Sequence, residues 1–125
     1  MGQKIESIGR LVLVVEDEAI IRMSAVSLVE EHGFEAIEAG SADEAIEILE
    51  KHPEIRVVFT DIQMAGSMDG LQLAAYAKNR WPPLKFIIVS GERKPGKDEL
   101  PLDSIFFAKP YDIGTIRETL SQFFA

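Results

Sequence analysis

The sequence predicts an α/β fold in which a parallel, five-stranded, doubly wound sheet is covered by helices on both faces. Short apolar runs rich in branched residues alternate with longer stretches whose apolar residues recur three and four positions apart, which is the pattern of βαβ units. The first run, residues 11–15, has no polar interruption, as expected for a central strand buried on both faces. A length of 125 residues fits one such domain. We therefore expect a single domain over residues 10–125, preceded by a tail of residues 1–9.

The remaining elements follow in order along the chain. Gly33 is placed to end the first helix in a left-handed turn, and Ser41 with Glu44 forms the pattern of a capping box at the start of the second. Pro53 ends the second helix, because proline cannot continue a helical ladder. The predicted strands are residues 11–15, 34–39, 56–60, 84–89 and 104–108. The predicted helices are residues 19–32, a helix opened at Ser41, residues 69–80 and a helix that starts after Asp112.

The segment between the fourth and fifth strands departs from this alternation. Residues 91–103 contain Pro95, Gly96 and Pro101 and few large apolar residues. A full-length helix cannot form there, because each of these residues opposes helical propagation. We expect a short or irregular fourth helix of at most a turn or two that opens at Pro95, where proline fits the first helical turn.

Composition excludes several classes of function. The formal charge of −8 repels the phosphate backbone of nucleic acids, so direct DNA or RNA binding is not expected. The chain contains no cysteine, which fits a reducing cytoplasm and excludes thiol chemistry. No signal-peptide core or membrane-spanning run appears in the sequence, so we expect a cytoplasmic protein without membrane contact.

Charged and polar side chains follow four of the five predicted strands. Because parallel strands point their carboxyl ends to one edge of the sheet, residues just after each strand meet in one crevice. Three carboxylates, a hydroxyl and an ammonium are thus expected together: Glu16, Asp17, Asp61, Ser90 and Lys109. Carboxylates so close together disfavour one another's ionised form unless a cation offsets their charge. A set of ligands that are all oxygen atoms suits Mg²⁺. A carboxylate between Mg²⁺ and Lys109 is a plausible nucleophile toward phosphorus, so Asp61 is a candidate phosphoacceptor.

Five short motifs at these positions resemble those of the response-regulator receiver family, of which the chemotaxis regulators are examples. The resemblance extends over residues 10–125, and each motif falls at a predicted strand end or helix start, in the family's order. The motifs are VVEDE at residues 14–18, DIQM at 61–64, MDG at 68–70, VSG at 89–91 and KPY at 109–111.

The resemblance implies a flavodoxin-like sheet with the strand order 2-1-3-4-5 and a role for each motif. Asp61 would accept a phosphoryl group from a histidine kinase or a histidine phosphotransfer protein. The Mg²⁺ ligands would be the side chains of Glu16, Asp17 and Asp61 and the backbone carbonyl of Gln63. Ser90 and Lys109 would contact phosphoryl oxygens, and the Lys109–Pro110 peptide would be cis. Phe106 would be the rotating aromatic residue of the switch.

The sequence also departs from the family pattern. Glu16 is one methylene longer than the aspartate often found there, so its contact with the metal can run through water. Residues 65–67 replace a proline-containing link and make it one residue longer. Phe106 lacks a hydroxyl, so its switching would rest on packing alone. The short fourth helix alters the face through which the family commonly signals or dimerises.

Other interpretations compete with the switch. Each site residue has an ordinary structural explanation: a solvated helix start for Glu16 and Asp17, a turn for Asp61 and Ser90, a surface charge for Lys109, and a core position for Phe106. A receiver-like adaptor that binds a protein partner without phosphorylation is the main alternative. An enzyme of haloacid-dehalogenase type would need an aspartate where Gln63 stands, and no glycine-rich phosphate loop is present.

We therefore expect a signalling domain and not an enzyme, with at most self-catalysed phosphotransfer and autodephosphorylation. With no effector domain expected after Phe124, its output would pass through contact with a downstream protein, whose identity the sequence does not reveal.

Overall fold

The computed structural model describes residues 10–125, and the predicted tail of residues 1–9 lies outside the described residues. All five strands pair in parallel in the order β2-β1-β3-β4-β5. This confirms the doubly wound, flavodoxin-like fold predicted from the sequence. The strands are β1 Leu11–Val15, β2 Glu35–Ala39, β3 Val57–Asp61, β4 Lys85–Ser90 and β5 Ser104–Ala108.

The helices pack on the two faces of the sheet, and the alternation of side chains along β1 divides the core between them. Leu13 and Val15 join one cluster, together with residues of α2 and α3, whereas Val12 and Val14 join the other, with residues of α1 and α4. Each fully buried Val or Leu contributes about 1.5–3 kcal/mol relative to exposure. The helices are α1 Ala19–Glu31, α2 Ala42–Lys51, α3 Gly70–Arg80 and α4 Ile113–Phe123.

The helix ends show which local signals the sequence carried. Gly33 follows α1 with a φ of 87°, the left-handed conformation predicted for it. The Ser41 hydroxyl accepts a hydrogen bond from the Glu44 amide, but the Glu44 carboxylate accepts from the amide of Gly40 instead of closing the capping box on Ser41. A reciprocal capping box forms at α3, where Asp69 and Gln72 bond to each other's amides.

The segment of residues 91–103 contains a single 3₁₀ turn, Lys97–Glu99. The turn is as short as predicted, but it does not open at Pro95. Pro95 is buried, and Gly96 is extended and precedes the turn, because the Glu99 carboxylate accepts a hydrogen bond from the Gly96 amide. The anchored carboxylate places the helical start two residues later than expected.

Strands β3 and β4 each extend one residue beyond the predicted end. Asp61 pairs with Val89, and Ser90 pairs with Ala108. The ladder continues because the Ile62 amide donates to the Val89 carbonyl and the Lys109 amide donates to the Ser90 carbonyl. Two polar side chains assigned to the positions after their strands are therefore the last residues of those strands.

None of the helices within residues 10–125 combines the length and apolar character needed to cross a membrane.

Candidate functional site

The carboxyl ends of β1, β3, β4 and β5 bring the sequence-predicted polar residues to one edge of the sheet. Glu16 directly follows β1, Asp61 ends β3, Ser90 ends β4 and Lys109 directly follows β5. Glu16, Asp61 and Ser90 are buried, with 5%, 7% and 2% of their surface exposed. Polar groups withdrawn from water in this way need internal partners, and the partners define the site.

Lys109 is the cation of the site. Its Nζ lies 2.5 Å from Oδ2 of Asp61 and 3.9 Å from Oε1 of Glu16. Burial acts to lower the pKa of Lys109, but the hydrogen bond to Asp61 and the negative charges of Asp61 and Glu16 outweigh it and raise the pKa. The ammonium therefore stays charged at neutral pH. The Lys109–Pro110 peptide is cis, as the resemblance implied.

The start of α3 packs against the backbone of Asp61. The Gly70 amide donates to the Ile62 carbonyl at 2.8 Å, and a Cβ added to Gly70 would lie 2.0 Å from the Asp61 carbonyl oxygen. Only glycine allows so close an approach. The amide of Gln63 also donates to Oδ1 of Asp61 at 3.2 Å, so both carboxylate oxygens of Asp61 have partners.

Glu16 is held at both its side chain and its backbone. Its Oε2 accepts a hydrogen bond from the Glu18 amide at 3.0 Å. Burial raises the pKa of Glu16 to about 7, and the neighbouring Asp61 carboxylate adds to the shift against the opposing effect of the Glu18 amide. Arg22 donates to the Glu16 carbonyl at 2.8 Å and pairs with Glu38 at 2.9 Å. Sequence reasoning missed this role of Arg22, because no pattern distinguishes it from a solvated arginine of α1.

Asp17 is exposed and contacts the loop that follows Asp61. Its Oδ2 accepts a hydrogen bond from the Ala65 amide at 3.0 Å, and this bond is the main reason that the pKa of Asp17 is lowered. The Ser67 hydroxyl donates to Oδ1 of Asp43 at 2.8 Å, and Gly66 supplies the positive φ of 112° that the turn requires. The lengthened link of residues 65–67 is thus tied down at both ends. The sequence did not indicate the Asp43 contact.

The acids of the site could hold a metal ion together with water. Within residues 10–125, no group of three or more ligating side chains is already arranged as a metal cluster. The reason is visible in the contacts: Asp17 faces the Ala65 amide and Asp61 faces Lys109. Mg²⁺ usually takes one or two protein carboxylates and keeps several waters, so a complete protein cage is not required. Two buried carboxylates, Glu16 and Asp61, next to exposed Asp17 therefore fit Mg²⁺ by donor chemistry.

A cleft of about 670 Å³ adjoins the acids and opens to solvent. Its wall includes Asp17, Gln63, Arg93 and Glu99, so it reaches from the end of β1 to the segment of residues 91–103. The site is therefore accessible from the side on which that segment lies.

Ser90 and Phe106 lie together on the β4 and β5 side. The Ser90 hydroxyl donates to Oε1 of Gln63 at 2.8 Å and accepts from the amides of Glu92 and Arg93 at 3.3 and 3.0 Å. Phe106 is half-buried, packs against the core, and lines a small pocket of about 190 Å³ with Ser90. The sequence pointed to the backbone carbonyl of Gln63 alone, whereas the structure also gives its side chain a partner in the site.

A family model described as the response regulator receiver domain matches residues 12–121. The chain belongs to this family. The Sensor kinase CckA of Brucella abortus (strain 2308) is 35% identical over 115 residues, which cover 89% of this receiver domain and 12% of the kinase. The Transcriptional regulatory protein PdtaR of Mycobacterium tuberculosis is 36% identical over 90 residues, covering 70% of this chain and 42% of PdtaR. The chain thus spans less than half of each of these relatives.

Solved receiver structures have the same fold. A response regulator receiver protein from Sinorhizobium medicae WSM419 superposes with a TM-score of 0.84 at 29% identity, over 91% of this chain and 93% of that one. The receiver domain of the Hybrid Histidine Kinase CckA gives a TM-score of 0.77 at 29% identity, over 92% and 99% of the two chains.

Receiver domains are signalling domains of two-component systems and are generally not enzymes. They generally bind Mg²⁺ at the phosphorylation site and interact with histidine kinases or phosphotransfer proteins.

Proposed function

We propose that this receiver domain is a phosphorylation-dependent signalling switch that accepts a phosphoryl group on Asp61 from a histidine kinase or a histidine phosphotransfer protein. The observation that carries the proposal is the 2.5 Å contact between Lys109 Nζ and Asp61 Oδ2 in a buried acidic pocket. A buried carboxylate paired with one lysine and crowded by Glu16 is placed for phosphoryl transfer, since nearby cations neutralise the transferred oxygens.

The transfer exchanges one bond to phosphorus for another. A carboxylate oxygen of Asp61 attacks the phosphorus of a phosphohistidine, the phosphorus–nitrogen bond breaks, and its electron pair returns to the imidazole. Lys109 pairs with an oxygen of the incoming phosphoryl group. Glu16, Asp17, Asp61 and the backbone carbonyl of Gln63 would hold Mg²⁺, which supplies further positive charge to the phosphoryl oxygens when bound.

The phosphoryl group then changes the contacts of Ser90 at the end of β4 and of Phe106 in β5. It adds negative charge and three strong acceptor oxygens at Asp61, and the Ser90 hydroxyl donates to one of them. Phe106 has no hydroxyl to follow Ser90, so its part in the switch is a change of packing in the pocket it shares with Ser90. The surface formed by β5 and residues 91–103 changes, and with it the affinity for a downstream protein.

Phosphorylation by a small phosphodonor tests the proposal. In the presence of Mg²⁺, intact-protein mass spectrometry should find one added phosphoryl group on the wild type and none on Asp61→Asn. Asp98→Asn is the matched control, because Asp98 is an exposed acid in the 3₁₀ turn, and this variant should be labelled like the wild type. Labelling that survives in Asp61→Asn would place the acceptor elsewhere. A wild type that takes no label under any donor would favour the constitutively binding adaptor.

A further inference from the structure

The side-chain oxygen of Gln63 accepts the single hydrogen that the Ser90 hydroxyl can donate. We propose that Gln63 is a positioning residue that holds the Ser90 hydroxyl in its resting orientation, so that phosphorylation must exchange the Ser90–Gln63 hydrogen bond for a Ser90–phosphoryl one. This inference rests on the function proposed above. It adds Gln63 as a residue that sets the equilibrium between the resting and the phosphorylated arrangement of Ser90.

The hydroxyl of Ser90 has no spare capacity in this arrangement. A serine hydroxyl has one hydrogen to donate and two lone pairs to accept with. The amides of Glu92 and Arg93 occupy the acceptor side at 3.3 and 3.0 Å, so the contact with Gln63 at 2.8 Å must use the hydroxyl hydrogen. The same count fixes the Gln63 amide, because only its oxygen accepts a hydrogen bond. Ser90 cannot donate to a phosphoryl oxygen while it donates to Gln63.

Gln63 contacts both partners of the exchange. Its backbone amide donates to Oδ1 of Asp61 at 3.2 Å, and its side chain accepts from Ser90 on the neighbouring strand. The contacts continue outward from Ser90, because Arg93, whose amide bonds to Ser90, pairs through its guanidinium with Glu99. A change at Asp61 is thus connected through Gln63 and Ser90 to the 3₁₀ turn.

The relative strengths of the two hydrogen bonds make this exchange possible. A neutral hydrogen bond such as Ser90–Gln63 biases an equilibrium by about fivefold, whereas one to a charged oxygen biases it by roughly tenfold to a hundredfold. We therefore expect the phosphoryl group to displace Gln63 as the acceptor of the Ser90 hydrogen bond. Breaking the Ser90–Gln63 bond should lower the apparent affinity of the domain for a phosphoryl mimic by about fivefold.

Titration with beryllofluoride and Mg²⁺, a probe of the phosphorylated state, measures this factor. The amide resonances of Glu92 and Arg93 give the apparent affinity. Gln63→Met keeps the length of the side chain and removes its acceptor; we expect it to bind beryllofluoride about fivefold more tightly than the wild type. Gln63 is exposed, so the variant should fold. Gln122→Met, at an exposed position of α4, is the matched control and should match the wild type.

The Ser90→Ala background isolates the role of the hydroxyl. There, Gln63→Met should give no gain, since the hydrogen bond is already absent. An equal gain with and without Ser90, or no gain with Ser90 present, overturns the exchange while leaving the phosphorylation proposal intact. A wild type that does not respond to beryllofluoride at all overturns the phosphorylation proposal and this inference together.

Discussion

The two loops that flank the Asp61 pocket are held in different ways. The loop after β3, residues 62–69, is fixed along its length: Asp17 binds its Ala65 amide, Asp43 binds Ser67, and Gly70 closes its end against the Ile62 carbonyl. It supports the carboxylate that we propose accepts the phosphoryl group. A nucleophile gains from such support, because small displacements of a reacting group are costly in rate.

The connection after β4, residues 91–103, makes its hydrogen bonds and ion pairs with the rest of the domain mainly at its ends. Ser90 binds the amides at its start, and Lys78 pairs with Asp103 at its finish at 2.9 Å. Between them, the pairing of Arg93 with Glu99 is exposed, and exposed ion pairs contribute little to stability. Pro95 and Leu100 are its inward-facing residues, whereas Leu102 is 81% exposed.

The two loops are suited to different roles. In the proposed switch, we expect the backbone of the loop beside Asp61 to keep its shape, and the connection beside Ser90 to rearrange and carry the signal outward. Local stability differs across a fold in this way wherever one element has to move and its neighbour must not.

Two glycine substitutions, one at each loop, should give the largest difference in the free energy of unfolding. In Gly70→Ala, the new Cβ would lie 2.0 Å from the Asp61 carbonyl oxygen, and a backbone atom cannot move aside as a side chain can. We expect a loss of about 4 kcal/mol in the free energy of unfolding, well above the gain of up to about 1 kcal/mol from replacing glycine in a helix.

Gly96→Ala is the matched variant in the second loop. Gly96 has a φ of −75° and nothing within 4 Å of an added Cβ. The free energy of unfolding of Gly96→Ala should be unchanged or up to about 1 kcal/mol higher than that of the wild type, because alanine restricts the unfolded chain. Urea denaturation measures both variants. Equal effects at the two positions would mean that the loops are not held differently.

Glu16→Gln should show a smaller, pH-dependent effect on the rigid side of the pocket. Burial and Asp61 raise the pKa of Glu16 from 4.5 to about 7 in the folded protein. The wild type therefore loses stability as pH rises from about 4.5 to 7, because the folded state must give up a proton that it binds more tightly than the unfolded chain does. Glutamine does not titrate, so the variant should gain up to about 3 kcal/mol above pH 7 and nothing below pH 4.5.

Unfolding measured at several pH values with chelator present tests this result. Glu99→Gln is the control in the second loop, where the Gly96 amide and Arg93 lower the pKa of an exposed acid. Because the pKa of Glu99 is shifted in the opposite direction to that of Glu16, Glu99→Gln should show no gain in the free energy of unfolding above pH 7. A gain for Glu16→Gln that persists unchanged at pH 4 would contradict the raised pKa of Glu16.

The sequence predicted the fold because the features that set it are local and repeated. The five branched apolar residues of β1 are all buried, as expected of a strand covered on both faces, and only a single 3₁₀ turn forms in the segment that contains Pro95, Gly96 and Pro101. The strand ends were missed by one residue at Asp61 and Ser90, since backbone pairing continues through polar side chains that a hydrophobic pattern does not count.

Parts of the site arise from contacts that no local pattern encodes. The positions of Asp61 and Lys109 followed from parallel strands meeting at one edge. The bonds from Ser90 to Gln63 and from Asp17 to Ala65 depend on where two loops pass each other, across separations of 27 and 48 residues. A single sequence carries no signal for such pairs, whereas a local device such as the Asp69 and Gln72 capping box was readable and overlooked.

Two leucines of the connection after β4 give the smallest expected effect, because one of them is partly buried and the other is exposed. Leu100 is partly buried and packs against the core under α2 and α3, whereas Leu102 is 81% exposed two residues later. We expect Leu100→Ala to cost about 1–2 kcal/mol, less than a fully buried leucine, and Leu102→Ala to stay within about 0.5 kcal/mol of the wild type.

The measurement is urea denaturation combined with amide hydrogen exchange across residues 91–103. Losing the Leu100 anchor should speed exchange of the amides that follow the 3₁₀ turn and leave those of residues 62–69 unchanged, because the hydrogen bonds that hold the first loop involve Asp17, Asp43 and Gly70 and not Leu100. Faster exchange in both loops would mean that they move as one unit, and the division of labour between a fixed acceptor loop and a movable output loop would then fail.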